Sequence, residues 1–252
     1  PIIVDNPDGE KLGFKVEDVE NAITEKTKVI IINTPSNPSG KIIPVEKIEA
    51  LATLAKQYDL VIISDEVYKC LIYADSKFKN IVEIEGMRER TILVSLSKEF
   101  CMTGWRIGYV LAPAEVIAAM TKFQENVAAC APLPSQYAAI EALSGENDYS
   151  ANMVNIFTKR RNILVDGINR IPKLSCEAPE ATFYLMVDIS ETGMKSEEFA
   201  IALLKAVHVA VVPGITYGRS CDNYVRMAFT LGEDKIQEGI KRIQTFINQL
   251  PL

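Results

Sequence analysis

Short continuous runs of Val and Ile alternate along this chain with longer stretches in which apolar residues recur every three or four positions. A continuous apolar run of a few residues fits a strand buried on both faces, and the three-to-four spacing fits one face of a helix. The runs Lys28-Val-Ile-Ile-Ile-Asn33, Leu60-Val-Ile-Ile-Ser64 and Thr91-Ile-Leu-Val-Ser-Leu96 therefore predict buried strands. The segment 44–58 places Val45, Ile48, Leu51, Ala52 and Ala55 on one face and predicts a helix. Pro1-Ile-Ile-Val-Asp5 reads as a further strand, so the sequence enters in mid-domain. Helical spacing returns over 114–127 and 132–144, Ser144-Gly-Glu-Asn-Asp148 breaks it, and a long helix is expected over 149–170. Strands near 182–188, 208–212 and 223–229 and helices near 196–206 and 233–249 complete the pattern.

Alternating strands and helices predict an α/β protein with a mainly parallel sheet, and the last hundred residues predict a smaller α+β unit. The break at Ser144–Asp148 divides the chain into a region 1–147 and a region 148–252 that begins with the long connecting helix. Ligands of open α/β sheets bind beyond the carboxyl ends of the strands. Asn37, Asp65 and Lys98, each at or just after the end of a predicted strand, are thereby expected around one pocket.

Composition narrows the function classes. The 27 basic and 33 acidic residues leave a net charge of -6, and no Lys/Arg block marks a nucleic-acid footprint. No apolar stretch reaches the ~20 residues of a membrane span. Five widely spaced cysteines without a C-x-x-C pair predict reduced thiols in a cytoplasmic protein and no zinc site. The single histidine, His208, lies in the apolar run Ala206-Val-His-Val-Ala-Val-Val212 and is expected to be a half-buried structural residue.

Four segments can carry chemistry. In Ser95-Leu-Ser-Lys-Glu-Phe-Cys-Met-Thr-Gly-Trp-Arg106, a strand opens into a loop with an ammonium, two hydroxyls (Ser95, Ser97) and a guanidinium. Those are the donors that hold a phosphate, although Lys98 alone could equally snorkel at the surface. Ser64-Asp-Glu-Val-Tyr68 puts Asp65 at the end of an apolar strand, where it caps a helix or needs a cationic partner. Pro35-Ser-Asn-Pro-Ser-Gly40 is a rigid turn. Tyr224-Val-Arg-Met-Ala-Phe229 places Arg226 in an apolar strand, where it needs an anion, either an internal carboxylate or that of a substrate.

Taken in order, Asn37-Pro-Ser-Gly40, Asp65-Glu-Val-Tyr68, Ser95-Leu-Ser-Lys98 through Trp105-Arg106, and Tyr224-Val-Arg226 resemble the class I/II aminotransferases of fold type I. The resemblance extends from the opening strand to the final helix and corresponds to the C-terminal two-thirds of such an enzyme. It implies a homodimer that uses pyridoxal 5'-phosphate to move an amino group from an L-amino acid to a 2-oxo acid. Lys98 would form the Schiff base and shuttle the substrate α-proton. Asp65 would pair with the pyridine nitrogen, Asn37 and Tyr68 would bond the phenolic oxygen, Ser95 and Arg106 would hold the phosphate, and Arg226, with Asn37, would bind the substrate carboxylate.

Two positions depart from the family pattern: Ser39 replaces the commoner Thr, and Thr182 replaces the usual small residue in Glu180-Ala-Thr-Phe-Tyr184. The N-terminal arm, the phosphate loop and the aromatic that stacks on the ring are not in the sequence, so the chain alone is expected to be inactive. Glu125-Asn-Val-Ala-Ala-Cys-Ala-Pro-Leu-Pro134 lacks the basic residue that one route to dicarboxylate recognition uses. A carbon–sulfur lyase on the same scaffold and an aminotransferase-like regulatory domain are the alternatives.

Overall fold

The computed structural model describes residues 2, 4, 12–73, 76–95, 98–144 and 149–250. Its first sheet has the order β1-β2-β3-β4. Strands β1 (Val29–Asn33), β2 (Val61–Asp65) and β3 (Thr91–Ser95) run parallel, and β4 (Tyr109–Leu111) is antiparallel to β3. The register sets Asn33 beside Asp65 and Asp65 beside Val94, so three carboxyl ends lie level along one edge. That alignment is what the α/β pattern predicts.

The parallel arrangement requires crossovers. Helix α1 (Val16–Ala22) precedes β1, and α2 (Val45–Gln57) returns the chain from β1 to β2. Pro44 ahead of α2 cannot continue a hydrogen-bonded helix backward, and Glu46 in the first turn faces the positive end of the helix dipole. Ile48, Leu51, Ala52 and Ala55 form its buried stripe against Ile32, Leu60, Ile62, Ile81 and Met87.

A second core lies in the region that follows. Helix α5 (Tyr149–Ile168), α6 (Ser196–Val207) and α7 (Glu233–Gln249) pack on the antiparallel sheet β5-β7-β6, formed by Tyr184–Asp188, Tyr224–Ala228 and Val212–Pro213. Ile236, Ile243, Phe246 and Ile247 make the buried stripe of α7. At Gly167 of α5 an added Cβ would stand 2.4 Å from Ile240 Cδ1, so a larger residue there would make the Ile240 side chain shift. Tyr68, Leu71 and Tyr73, just past β2, belong to this second core and tie it to the first sheet. Between the cores run α3 (Ala114–Ala128) and α4 (Leu133–Ser144), on which Phe123, Leu133, Tyr137 and Ile140 are each more than 60% exposed.

Three sequence expectations need correction. The segment 28–33 is expected as a buried strand, but β1 is an edge strand of the sheet, and Ile31 is 70% exposed while Ile32 is buried. The segment 208–212 is not a strand until Val212, because α6 runs through Val207 and His208 turns into the left-handed region at φ +57°, donating its backbone N–H to the Leu204 carbonyl. His208 is accordingly exposed rather than half-buried; Val207, Val209 and Val211 alternate onto the core without pairing. The segment Pro1–Asp5 lies outside the described residues except for Ile2 and Val4, which are not in a strand, and Gly145–Asp148 lies outside them entirely. Helix α1 and strand β4 have no counterpart in the sequence reading.

Candidate active site

The turn after β1 is built to project Asn37. The Asn33 side-chain carbonyl accepts the Asn37 backbone N–H at 2.7 Å, and Gly40 N–H returns to the Ser36 carbonyl at 2.9 Å. Gly40 has φ +69°, and a Cβ there would meet Pro179 Cβ at 2.5 Å and the Ala181 carbonyl at 3.0 Å. Ala181 N–H donates to the Gly40 carbonyl at 2.9 Å, and Ile42 N–H donates to Glu180 Oε2 at 2.8 Å. The turn is thus seated on the segment that leads into β5.

That seating brings Asn37 to Arg226 on β7, whose Nη1 donates to Asn37 Oδ1 at 2.7 Å. The guanidinium lies over the Tyr184 ring at 4.1 Å from its centroid and near the Tyr217 ring at 5.3 Å. Among the described residues no carboxylate pairs with Arg226, so the internal-salt-bridge alternative has no partner. A half-buried guanidinium held by a neutral amide and two ring faces keeps donors available for an incoming anion.

Tyr68 is buried, and its hydroxyl donates to the Tyr184 hydroxyl at 3.4 Å. Burial and then the Tyr184 hydroxyl hold its phenol well above the ordinary tyrosine range. Asp65, at the end of β2, is half-buried and accepts the Val67 N–H at 3.3 Å. Burial raises its carboxyl above the usual range, opposed by that one backbone bond, and no cation among the described residues pairs with it. The next residue, Glu66, points to the opposite face and is fully buried, with Ser64 Oγ at 3.0 Å on one oxygen and Asn80 Nδ2 at 2.9 Å on the other. Burial, only partly opposed by the Ser64 hydrogen bond and the Lys69 charge, pushes the Glu66 carboxyl up to about 7.

Beyond β3, Lys98 Nζ donates to Thr103 Oγ1 at 3.3 Å, and Arg106 Nη1 donates to the Thr103 carbonyl at 2.8 Å. Two cations therefore share one threonine, and neither has a carboxylate partner among the described residues. Arg106 takes φ +53°, the left-handed conformation that ends a short 3-10 turn. The Ser95 side chain and Ser97 lie outside the described residues.

Asn37 and Arg226 are thus joined directly and Tyr68 to Arg226 through Tyr184, Lys98 and Arg106 meet at Thr103, and Asp65 stands at the end of β2 level with Asn33 and Val94. The sequence reading misses Tyr184, Tyr217 and Thr103 as members of this site. A signal exists for Tyr184, since it follows the departing Thr182, but its contacts come from a strand pairing more than a hundred residues away from Tyr68. A separate concavity of about 1510 Å³ runs along the free edge of β1, between Ile31, Lys41, Lys47 and Glu177, and its walls include none of Asp65, Tyr68, Lys98 or Arg226.

Comparison with known proteins places this arrangement in context. Residues 4–243 match the family model for aminotransferase class I and II. The chain is 37% identical over 255 residues to an aspartate aminotransferase of Pyrococcus abyssi, covering 100% of this chain and 65% of the relative. It is 39% identical over 238 residues to a (5-formylfuran-3-yl)methyl phosphate transaminase of Methanocaldococcus jannaschii, covering 94% and 62%. The crystal structure of an aromatic aminotransferase from Pyrococcus horikoshii superposes with a TM-score of 0.90 at 36% identity, covering 95% and 65%. The chain spans less than two-thirds of the length of these relatives, and over that span the fold is the same. The chain belongs to the aminotransferase class I and II family, whose members use pyridoxal 5'-phosphate.

Proposed function

We propose that this chain serves an aminotransferase that moves an amino group from an L-amino acid to a 2-oxo acid. The observation that carries the reading is Arg226 on β7, a guanidinium fixed by Asn37 and the Tyr184 ring with no carboxylate on it among the described residues; Asn37 belongs to the turn after β1, whose carboxyl end stands level with that of β2 at Asp65. The named activities of the relatives support transamination over the lyase and regulatory alternatives.

The donor set fits pyridoxal 5'-phosphate. Asp65 is a half-buried carboxylate raised by burial with no cation paired to it among the described residues, a partner that a protonated ring nitrogen would supply. Lys98 and Arg106 have no carboxylate partner among the described residues, and a phosphate would supply an anion to Arg106, with the Ser95 hydroxyl proposed as a further donor. When bound, the cofactor supplies an electron sink for the pair left on the substrate α-carbon and carries the amino group between half-reactions. Lys98 Nζ attaches the cofactor and, when free, takes up and returns the α-proton. Asn37 would donate to the cofactor's phenolic oxygen through its side-chain N–H, Tyr68 would do so once its one hydroxyl hydrogen turns from Tyr184, which then donates to it, and Arg226 together with Asn37 would fix the substrate carboxylate.

The division into a cofactor region, 1–147, and a smaller region, 148–252, belongs to the same reading. So does a homodimeric working form, supported by the exposed apolar side chains Phe123, Leu133, Tyr137 and Ile140 on adjacent helices. The 252-residue chain on its own is proposed to be inactive, because β1 has no further strand beside it among the described residues, Ile31 is exposed, and the relatives carry a further third of sequence.

The test follows the cofactor's visible absorbance in the full-length gene product. An L-amino acid alone should convert the cofactor stoichiometrically to its amino form, and a 2-oxo acid should reverse the change. Release of ammonia and a 2-oxo acid with no acceptor present would instead favour the lyase.

A further inference from the structure

Tyr184 touches both halves of the candidate site. Its ring face lies 4.1 Å from the Arg226 guanidinium, against 5.3 Å for Tyr217, while its hydroxyl is 3.4 Å from that of Tyr68. The two tyrosine rings meet edge-on, with centroids 5.9 Å apart and planes at 74°. Few residues in a strand can do both, because the ring must face the Arg226 guanidinium while the hydroxyl reaches that of Tyr68.

The backbone explains how that orientation is held. Thr182 occupies the left-handed region at φ +68°, a costly conformation for a β-branched residue. Its N–H is fixed by the Leu71 carbonyl at 2.9 Å, its carbonyl accepts the Tyr73 hydroxyl, and its own hydroxyl accepts the Tyr184 N–H at 3.0 Å. Thr182 is fully buried. A strained residue whose side chain bonds the next-but-one backbone N–H fixes where β5 starts and so where Tyr184 aims. Pairing of Tyr184 with Ala228, two residues beyond Arg226 on β7, completes the register.

We propose that Tyr184 is a positioning residue that braces the Arg226 carboxylate clamp through its ring and orients the Tyr68 hydroxyl through its own hydroxyl, linking substrate binding to the cofactor's electronic state. This rests on the reading of Arg226 and Tyr68 given above. The two functions separate chemically. The ring acts by cation–π attraction, which is strongest where the guanidinium is desolvated, and the hydroxyl acts by a hydrogen bond. Tyr217, farther from Arg226, has no hydrogen bond to Tyr68 and cannot replace the second function.

The experiment compares Tyr184→Phe with Tyr184→Leu in the full-length gene product loaded with pyridoxal phosphate. Two readouts are taken: the dissociation constant of an unreactive α-methyl amino acid, and the pH titration of the bound cofactor's visible absorbance. Tyr184→Phe keeps the ring, so affinity for the analogue should stay within about twofold while the absorbance titration shifts in pH. Tyr184→Leu removes both, and should weaken the analogue by about tenfold or more as well as shift the titration. An absorbance titration unmoved by Tyr184→Phe, or an affinity unmoved by Tyr184→Leu, would overturn the proposal. Arg226→Lys serves as the separate control. If that change leaves analogue binding intact, the clamp reading itself fails; if it weakens binding while the Tyr184 variants do not, only the bridging role fails.

Discussion

Arg226 and Asn37 lie 189 positions apart in the chain and are joined by a 2.7 Å hydrogen bond from guanidinium to side-chain carbonyl. The bond uses one donor of a planar group that has several, and it fixes the guanidinium plane without neutralising it. Arg226→Lys keeps the charge and loses the fork, so kcat/KM for amino acids should fall by about two orders of magnitude with cofactor still bound. Asn37→Ala should raise KM by about tenfold, the effect of one hydrogen bond to a charged group. Steady-state kinetics on both variants, with cofactor content measured by absorbance, checks the pair; unchanged kinetics in Arg226→Lys would remove the carboxylate role.

Lys98 and Arg106 meet at Thr103, one through its hydroxyl and the other through its carbonyl. If Lys98 Nζ carries the cofactor, Lys98→Ala abolishes turnover while Arg106 still retains part of the affinity for the phosphate. Borohydride reduction of the wild-type protein followed by peptide mapping should place the pyridoxyl group on Lys98. Its recovery on Lys69 or any other lysine would refute the assignment.

Much of this was legible in the sequence because it depends on local pattern. The runs ending at Asn33, Ser64 and Leu96 are continuous enough to read as strands, and a parallel sheet then forces their carboxyl ends to the same edge. The strand ends at Asn33 and Asp65 stand level there, ahead of the turn that carries Asn37. What was not legible depends on packing and pairing. The exposure of Ile31 comes from the face it points to, which it shares with the exposed Val29 while Ile32 is buried on the other, and a continuous apolar run does not encode which face is left uncovered. The exposure of His208 comes from a left-handed helix cap that its Val neighbours disguise. Tyr184 escapes because its importance arises only when β5 and β7 pair and bring Arg226 over its ring.

Gly40 joins the Asn37 turn to the strand entry at Ala181, and its backbone carbonyl accepts the Ala181 N–H. Gly40→Ala must place a Cβ against Pro179 Cβ at 2.5 Å while holding φ +69°. Left-handed strain and the clash together should destabilise the fold by about 2–3 kcal/mol. Urea unfolding should show a lowered midpoint with unchanged slope, and KM should rise because the turn shifts away from Arg226. Wild-type stability in Gly40→Ala would mean the turn is not seated as described.

Glu66 gives the protein a stability that depends on pH through one buried group. Its carboxyl is fully buried, accepts from Ser64 and Asn80, and is pushed by burial from 4.5 up to about 7, opposed by the Ser64 hydrogen bond and the Lys69 charge, with Glu83 and Asp65 adding to the rise. Between those two values the folded chain binds a proton that the unfolded chain has lost, so stability falls as pH rises. The contribution is complete below pH 4.5 and is lost as pH passes through 7, a difference of about 3 kcal/mol. Asp65 is also raised, by burial, and adds a slope of the same sign. Glu66→Gln can keep both hydrogen bonds, its amide donating to Ser64 and its carbonyl accepting from Asn80, without a titrating group. Urea midpoints measured at pH 5 and pH 8 should therefore differ more in the wild type than in Glu66→Gln, and the variant should be the more stable of the two at pH 8. An identical pH slope in both proteins would show that Glu66 ionises without cost and that the carboxyl is solvated in the folded state.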